Sequence, residues 1–164
     1  MHDCCEKRQI LQEAMTFLGA VSGGMEEALG DPANSLAYLA GEKLGRTFSE
    51  QVHKTDNIIE ALDELHRVLE ENRCLWCFES FKPKAQDTLV QRTEGGEEIM
   101  LVFRDCMIRQ TLFRFGHPQK GSLCNLMNGF FASSLQTIME RKSRLEIVHA
   151  GQNACYKKLI IEQK

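Results

Sequence analysis

Glu94-Gly95-Gly96-Glu97-Glu98-Ile99-Met100-Leu101-Val102-Phe103-Arg104 is the stretch on which the fold turns. Its charged, glycine-centred opening reads as a tight turn, and the apolar run Ile99 to Phe103 reads as a central strand. On the N-terminal side, Cys74 to Phe81 and Thr88 to Arg92 also read as strands. Upstream of Cys74 the hydrophobic period is helical. Ile10, Leu11, Ala14, Met15, Leu18, Val21, Met25 and Leu29 form one stripe, and a first helix ends near Gly30. Asp31-Pro32 restarts the chain, with Leu36, Leu39, Ala40, Leu44 and Phe48 on the apolar face of a second helix that runs to about His53. Asn57 with Glu60 resembles a capping box for a third, which carries Ile58, Ile59, Leu62, Leu65 and Leu69 and ends near Asn72.

On the C-terminal side, Asp105 can cap a short helix through Phe113, which Gly116-His117-Pro118 terminates. Ser122 can cap a longer helix with Leu123, Met127, Phe130, Phe131, Ser134, Leu135 and Ile138 inward. Two strands, about Arg144 to His149 and Ala154 to Glu162, close the chain around Gly151-Gln152-Asn153. Three helices, three strands, two helices and two strands predict an α+β domain, an antiparallel sheet covered by helices. Sparse strand–helix alternation and the absence of a glycine-rich phosphate loop disfavour a parallel doubly wound fold. The chain is read as a single domain over 1–164, with a helical half at 1–73 and a sheet-containing half at 74–164.

Composition bounds the function. The chain has 164 residues, 43% of them hydrophobic and 26% charged, which places it among folded proteins rather than disordered ones. Its 20 Lys and Arg against 23 Asp and Glu give a net charge of −3, and no basic run marks a nucleic-acid binder. No apolar run approaches the roughly 18 residues of a membrane span, and the N-terminus lacks the order of a signal peptide. A soluble, cytoplasmic protein is expected. Its seven cysteines are odd in number, so thiols for metal or redox chemistry are a better reading than a disulfide framework.

Two features could carry chemistry or assembly. Cys124, Glu146, His149 and Cys155 are the densest group of metal-capable side chains, and two thiolates, an imidazole and a carboxylate can make a closed tetrahedral zinc site. Three-residue spacing puts Glu146 and His149 on opposite faces of a regular strand, so a bulge or strand end is needed there. Ala37, Gly41 and Gly45, four apart, form a small-residue ridge over which another helix can approach closely. A helical glycine costs about 1 kcal/mol relative to alanine, so two of them point to packing.

Asp105-Cys106, Gly121 to Phe130, Glu146 to His149 and Gly151 to Cys155 together resemble the 4-vinyl reductase (4VR) or hydrocarbon-binding domain, over roughly residues 97 to 162. The resemblance implies a structural zinc on Cys124, Glu146, His149 and Cys155, with His149 standing where a cysteine is usual. Because Cys106 matches a cysteine common in that family, it is an alternative fourth ligand in place of Glu146. The family is similar in fold to the small subunits of the TRAPP vesicle-tethering complex, α+β dimers built through their N-terminal helices. This implies a homodimer through Ala37, Gly41 and Gly45, although a crossing within one subunit fits the ridge equally.

The function that follows is a small ligand-binding module of sensor type, not an enzyme. A hydrophobic or aromatic molecule is expected against Phe103, Phe113 and Phe130, with zinc as cofactor and a separate signalling protein as partner. The first alternative is a TRAPP-like structural interaction subunit. The second is a thiol-based redox sensor using Cys106 or the C-x-x-C pair Cys74 and Cys77, for which buried packing is the competing explanation. His53, His66 and His117 are scattered, with no nucleophile fixed beside them.

Overall fold

The computed structural model of the protein describes residues 2–74, 76–104, 106–116 and 119–163, and the side chains of all of these except 2–9, 11, 114 and 115. The helices are α1 (His2–Leu29), α2 (Pro32–Phe48), α3 (Ile58–Glu71), α4 (Met107–Phe115) and α5 (Ser122–Met139). The strands are β1 (Cys77–Phe81), β2 (Val90–Thr93), β3 (Gly96–Arg104), β4 (Ser143–Ala150) and β5 (Ala154–Glu162), in the chain order that the periodicity predicts. All strand pairs are antiparallel, in the order β1-β3-β5-β4 with β2 also on β3. The fold is α+β, and the Ile99–Phe103 run is indeed central. Among the described residues no helix is long and apolar enough to cross a membrane.

Local chemistry sets the element ends. Gly30 adopts φ +64° and stops α1. The Asn57 side chain accepts from the amides of Ile59 (2.9 Å) and Glu60 (3.4 Å), as an N-cap does. Glu60 does not close the box, because its carboxylate accepts from the Thr55 hydroxyl at 2.7 Å. Where the sequence predicts a helix to His53, α2 stops at Phe48, and the His53 amide donates to the Glu64 carboxylate. Cys74 does not begin a strand: its amide donates to the Leu69 carbonyl at the end of α3, and β1 starts at Cys77. Ser122 is not the cap of α5; Gly121 holds that position. The Glu26 carboxylate on α1 instead accepts from the Ser122 amide and hydroxyl, both at 2.6 Å, placing negative charge on the N-terminus of α5. Asp105 and His117-Pro118 lie outside the described residues, while Gly116 ends α4 at φ +71°.

α5 is the keel of the molecule. Every residue from Met127 to Leu135 is buried, as in a helix covered on all sides. One side meets the inner face of the sheet and α3, and the other meets α2. The ridge Ala37, Gly41 and Gly45 faces α5 of the same chain. A Cβ added to Gly41 would stand 1.9 Å from the Leu126 carbonyl oxygen, and one on Gly45 2.4 Å from that of Phe130. From the α5 side, the Ser133 hydroxyl donates to the Glu42 carbonyl at 2.6 Å and that of Ser134 to Gly45 at 3.3 Å. The expectation of a dimer interface at Ala37, Gly41 and Gly45 is thereby corrected, because the close approach that glycine permits is already used within the subunit.

Much of the apolar stripe on α1 is left outward: Ile10, Leu18, Val21 and Leu29 are exposed, as is Phe17 beside them. The core lies between α5, α3 and the sheet. Phe131 is at its centre, with the rings of Trp76, Phe78, Phe103 and Phe130 at centroid distances of 5.1 to 6.0 Å from its own.

Candidate functional site

Parity along β5 puts Cys155, Lys157, Leu159 and Ile161 on the inner face of the sheet, opposite Phe103, Leu101, Ile99 and Glu97 of β3. Three of these β5 residues are apolar or thiol. The fourth is a lysine only 3% exposed. Its Nζ donates to Asn128 Oδ1 on α5 at 2.6 Å, approaches the Met127 sulfur at 3.7 Å, and lies 4.9 Å from the centre of the Phe103 ring. Around it a pocket opens at the end of the sheet. β3 contributes Phe103, α5 contributes Cys124 and Met127, and β4 contributes Ile147 and Ala150. Cys106, Arg109 and Leu112 reach in from α4 and its N-cap, and Gln119 from the loop that follows.

The pocket therefore gathers Cys106, Cys124 and Cys155, two basic side chains, and apolar walls. No carboxylate is among the described residues that line it. Burial pushes the Cys124 thiol above its usual pKa despite the opposing pull of Lys157, so it is protonated at neutral pH. Burial likewise holds the Lys157 ammonium below the ordinary lysine value, with the three thiols opposing the shift. The cavity is about 20 Å³, room for a body the size of water.

A pH signature follows from Lys157. Below its ordinary pKa the unfolded chain binds a proton on this amine more firmly than the fold does. Stability of the wild type relative to Lys157→Met should thus rise as pH climbs from the folded value toward the unfolded one, about 10.4, and level off above it. Cys124 acts with the same sign, since losing Lys157 raises its thiol further. Urea unfolding of both proteins from neutral pH to about pH 10 tests this; parallel stability curves would show that Lys157 is not desolvated.

The four residues expected to hold zinc are divided between two faces. A bulge between Ile147 and His149 does occur, and it turns His149 to the face of Tyr156 while Glu146 pairs with Lys158. Both therefore lie on the outer face, opposite Cys124 and Cys155. Glu146 is exposed and bridged to Arg144 at 3.1 Å, and His149 is exposed with its ring 6.4 Å from that of Tyr156. Replacing Glu146 by Cys106 gathers three thiols in the pocket but leaves His149 behind. Among the described residues no three His, Cys, Asp or Glu side chains are close enough to hold a metal ion. So placed, the residues do not fit a zinc ion.

The expected ligand triad is also redistributed. Phe103 lines the pocket, but Phe130 is wholly buried against Phe48, Trp76 and Phe131. Phe113 is 49% exposed, because α4 turns Ile108, Arg109 and Leu112 inward and leaves Phe113 at the edge of that face. Cys74 and Cys77 are separated, one against the core and one exposed, and burial raises the Cys74 thiol. Arg109 and Lys157 were missed from sequence. Strict alternation with Leu159 and Ile161 could have revealed Lys157, and its i+3 relation to Leu112 on a short amphipathic helix could have revealed Arg109.

An antiparallel sheet with a buried central helix and a polar-anchored pocket at one end is the architecture to be compared. Among solved structures, the chain is similar to the phenol-responsive sensory domain of the transcription activator PoxR, crystallised with phenol. The match has a TM-score of 0.57 at 11% identity and spans 89% of this chain and 74% of that one, which establishes a shared fold. No family model matches the chain, and no curated protein does.

Proposed function

We propose that this chain is a ligand-binding module of sensory type, of the 4VR class, for a hydrophobic or aromatic small molecule. The observation that carries the reading is the pocket of Phe103, Leu112, Met127 and Ile147, in a fold shared with a phenol-responsive domain. Pockets for small molecules combine apolar walls with a few polar anchors, and here Arg109 and Lys157 are the anchors. An organic ligand enters by displacing a wall. α4 is the wall suited to this, since it is the shortest helix and its backbone lies closest to α1 rather than to the sheet. The outward apolar residues of α1, among them Phe17 and Val21, are a surface for a second copy, so the module acts as a homodimer that hands its signal to a separate protein.

Thermal unfolding of the purified protein with phenol, benzoate, indole and geraniol tests the reading. A ligand at 100 times its Kd stabilises by about 2.7 kcal/mol, a rise of several degrees in melting temperature. Sedimentation velocity on the same sample reports the oligomeric state. If no compound stabilises the protein and none co-purifies in native mass spectrometry, while a stoichiometric protein partner does, the fold serves assembly instead.

A further inference from the structure

Arg109 is 6% exposed and its Nη1 has no hydrogen-bond partner. A guanidinium does not shed its proton in a protein, so this group cannot neutralise itself on burial as a carboxylate or an amine can. Burying such a charge is costly until an anion is brought against it. Six other described arginines, Arg46, Arg67, Arg92, Arg104, Arg141 and Arg144, each lie within 4.0 Å of a carboxylate, although most of them are in contact with water, and Arg73 is exposed to it. Arg109, among the most deeply buried, faces a pocket whose described residues supply none.

Lys157 adds a second buried nitrogen donor. Its partners are an amide oxygen, a thioether and a ring face, none of which carries a compensating charge. The protonated Cys124 thiol does not supply one. One fixed cation and one buried amine donor thus line one apolar space.

From this we infer that the ligand is an acid: an apolar body with a single anionic headgroup, received by Arg109 and Lys157. The inference rests on the ligand-binding reading above and narrows it. A carboxylate suits the guanidinium fork, which offers parallel N–H groups to two oxygens, with the lysine as a further donor. Phe103, Leu112, Met127 and Ile147 then take the apolar body.

Isothermal titration of the full chain with benzoate and its neutral analogue benzamide, at neutral pH, tests the inference. Benzoate is expected to bind at least about ten times more tightly, the discrimination one charge-assisted hydrogen bond provides. Arg109→Gln should reduce that preference to below about threefold, with benzoate affinity falling by a larger factor than benzamide affinity. Its melting temperature should not fall, since the change removes an uncompensated charge; Lys157→Met serves as the second variant should the first fold poorly. Benzamide binding as well as benzoate would overturn the acid and leave the ligand-binding reading standing. Preference retained in both variants would overturn the assignment to these residues. Stabilisation by geraniol or phenol with no benzoate binding would also overturn the acid. Failure of every compound to bind would remove the underlying reading with it.

Discussion

Gly41→Leu is expected to abolish folding. The added Cβ alone would stand 1.9 Å from the Leu126 carbonyl oxygen, 2.8 Å from its carbon and 2.9 Å from the Phe130 amide. All three are backbone atoms of the buried helix α5, so no side-chain rotation relieves the clash. Overpacking against mobile side chains costs about 1 to 3 kcal/mol; against a fixed backbone the cost is higher, in a protein whose total stability is of order 5 to 15 kcal/mol. Gly41→Ala should already lower the melting temperature sharply. Gly24→Ala is the control, because its Cβ meets nothing within 4 Å and the residue is exposed on α1. There alanine should be neutral or stabilise by roughly 0.5 to 1 kcal/mol. Equal melting temperatures for the Gly41→Ala variant and the wild type would mean that α2 does not cross α5 at this point.

Phe131→Ala should cost about 3 to 5 kcal/mol, the range for deleting a buried phenyl ring. Phe131 has no exposed surface, and its ring is ringed by Trp76, Phe78, Phe103 and Phe130. Phe113→Ala provides the contrast. With half of its surface in solvent it should change stability by no more than about 0.5 kcal/mol. Chemical denaturation of the two variants separates the observed phase of α4 from the one with Phe113 inward: comparable losses would favour the latter.

The strand and helix pattern was largely legible because local rules generate it. Asn57, Gly30 and the Glu94–Glu97 turn act through their own backbone neighbours, and each falls where expected. Three of the misplacements share one cause, a partner distant in sequence. Spacing at Ala37, Gly41 and Gly45 declares that a backbone comes close, but both α5 and a second copy satisfy it. In β4 the need for a bulge was readable from Glu146 and His149. The face to which it would turn them was not, because that depends on the register with β5. Lys157 follows the same logic in reverse: its inward position obeys parity, and charge alone argued against it. Phe113 shows the limit of periodicity on nine residues, where Ile108 and Leu112 define one phase and the aromatic ring invites another.

The crossing of α2 on α5 has a mechanical consequence. Contacts between side chains are compliant, since rotamers absorb small displacements before the backbone responds. At Gly41, Gly45 and Gly129 there is no such cushion: polypeptide lies directly on polypeptide, pinned by the Ser133 and Ser134 hydroxyls. α5 is 18 residues long, a rod of about 27 Å with Cys124 and Met127 of the pocket near one end. A tilt imposed on that end is passed to α2 with little loss, as in a lever whose bearing has no play. The stiffness expected to make Gly41 intolerant of a single methyl group also ties the helical layer of α2 to the end of α5 beside Lys157.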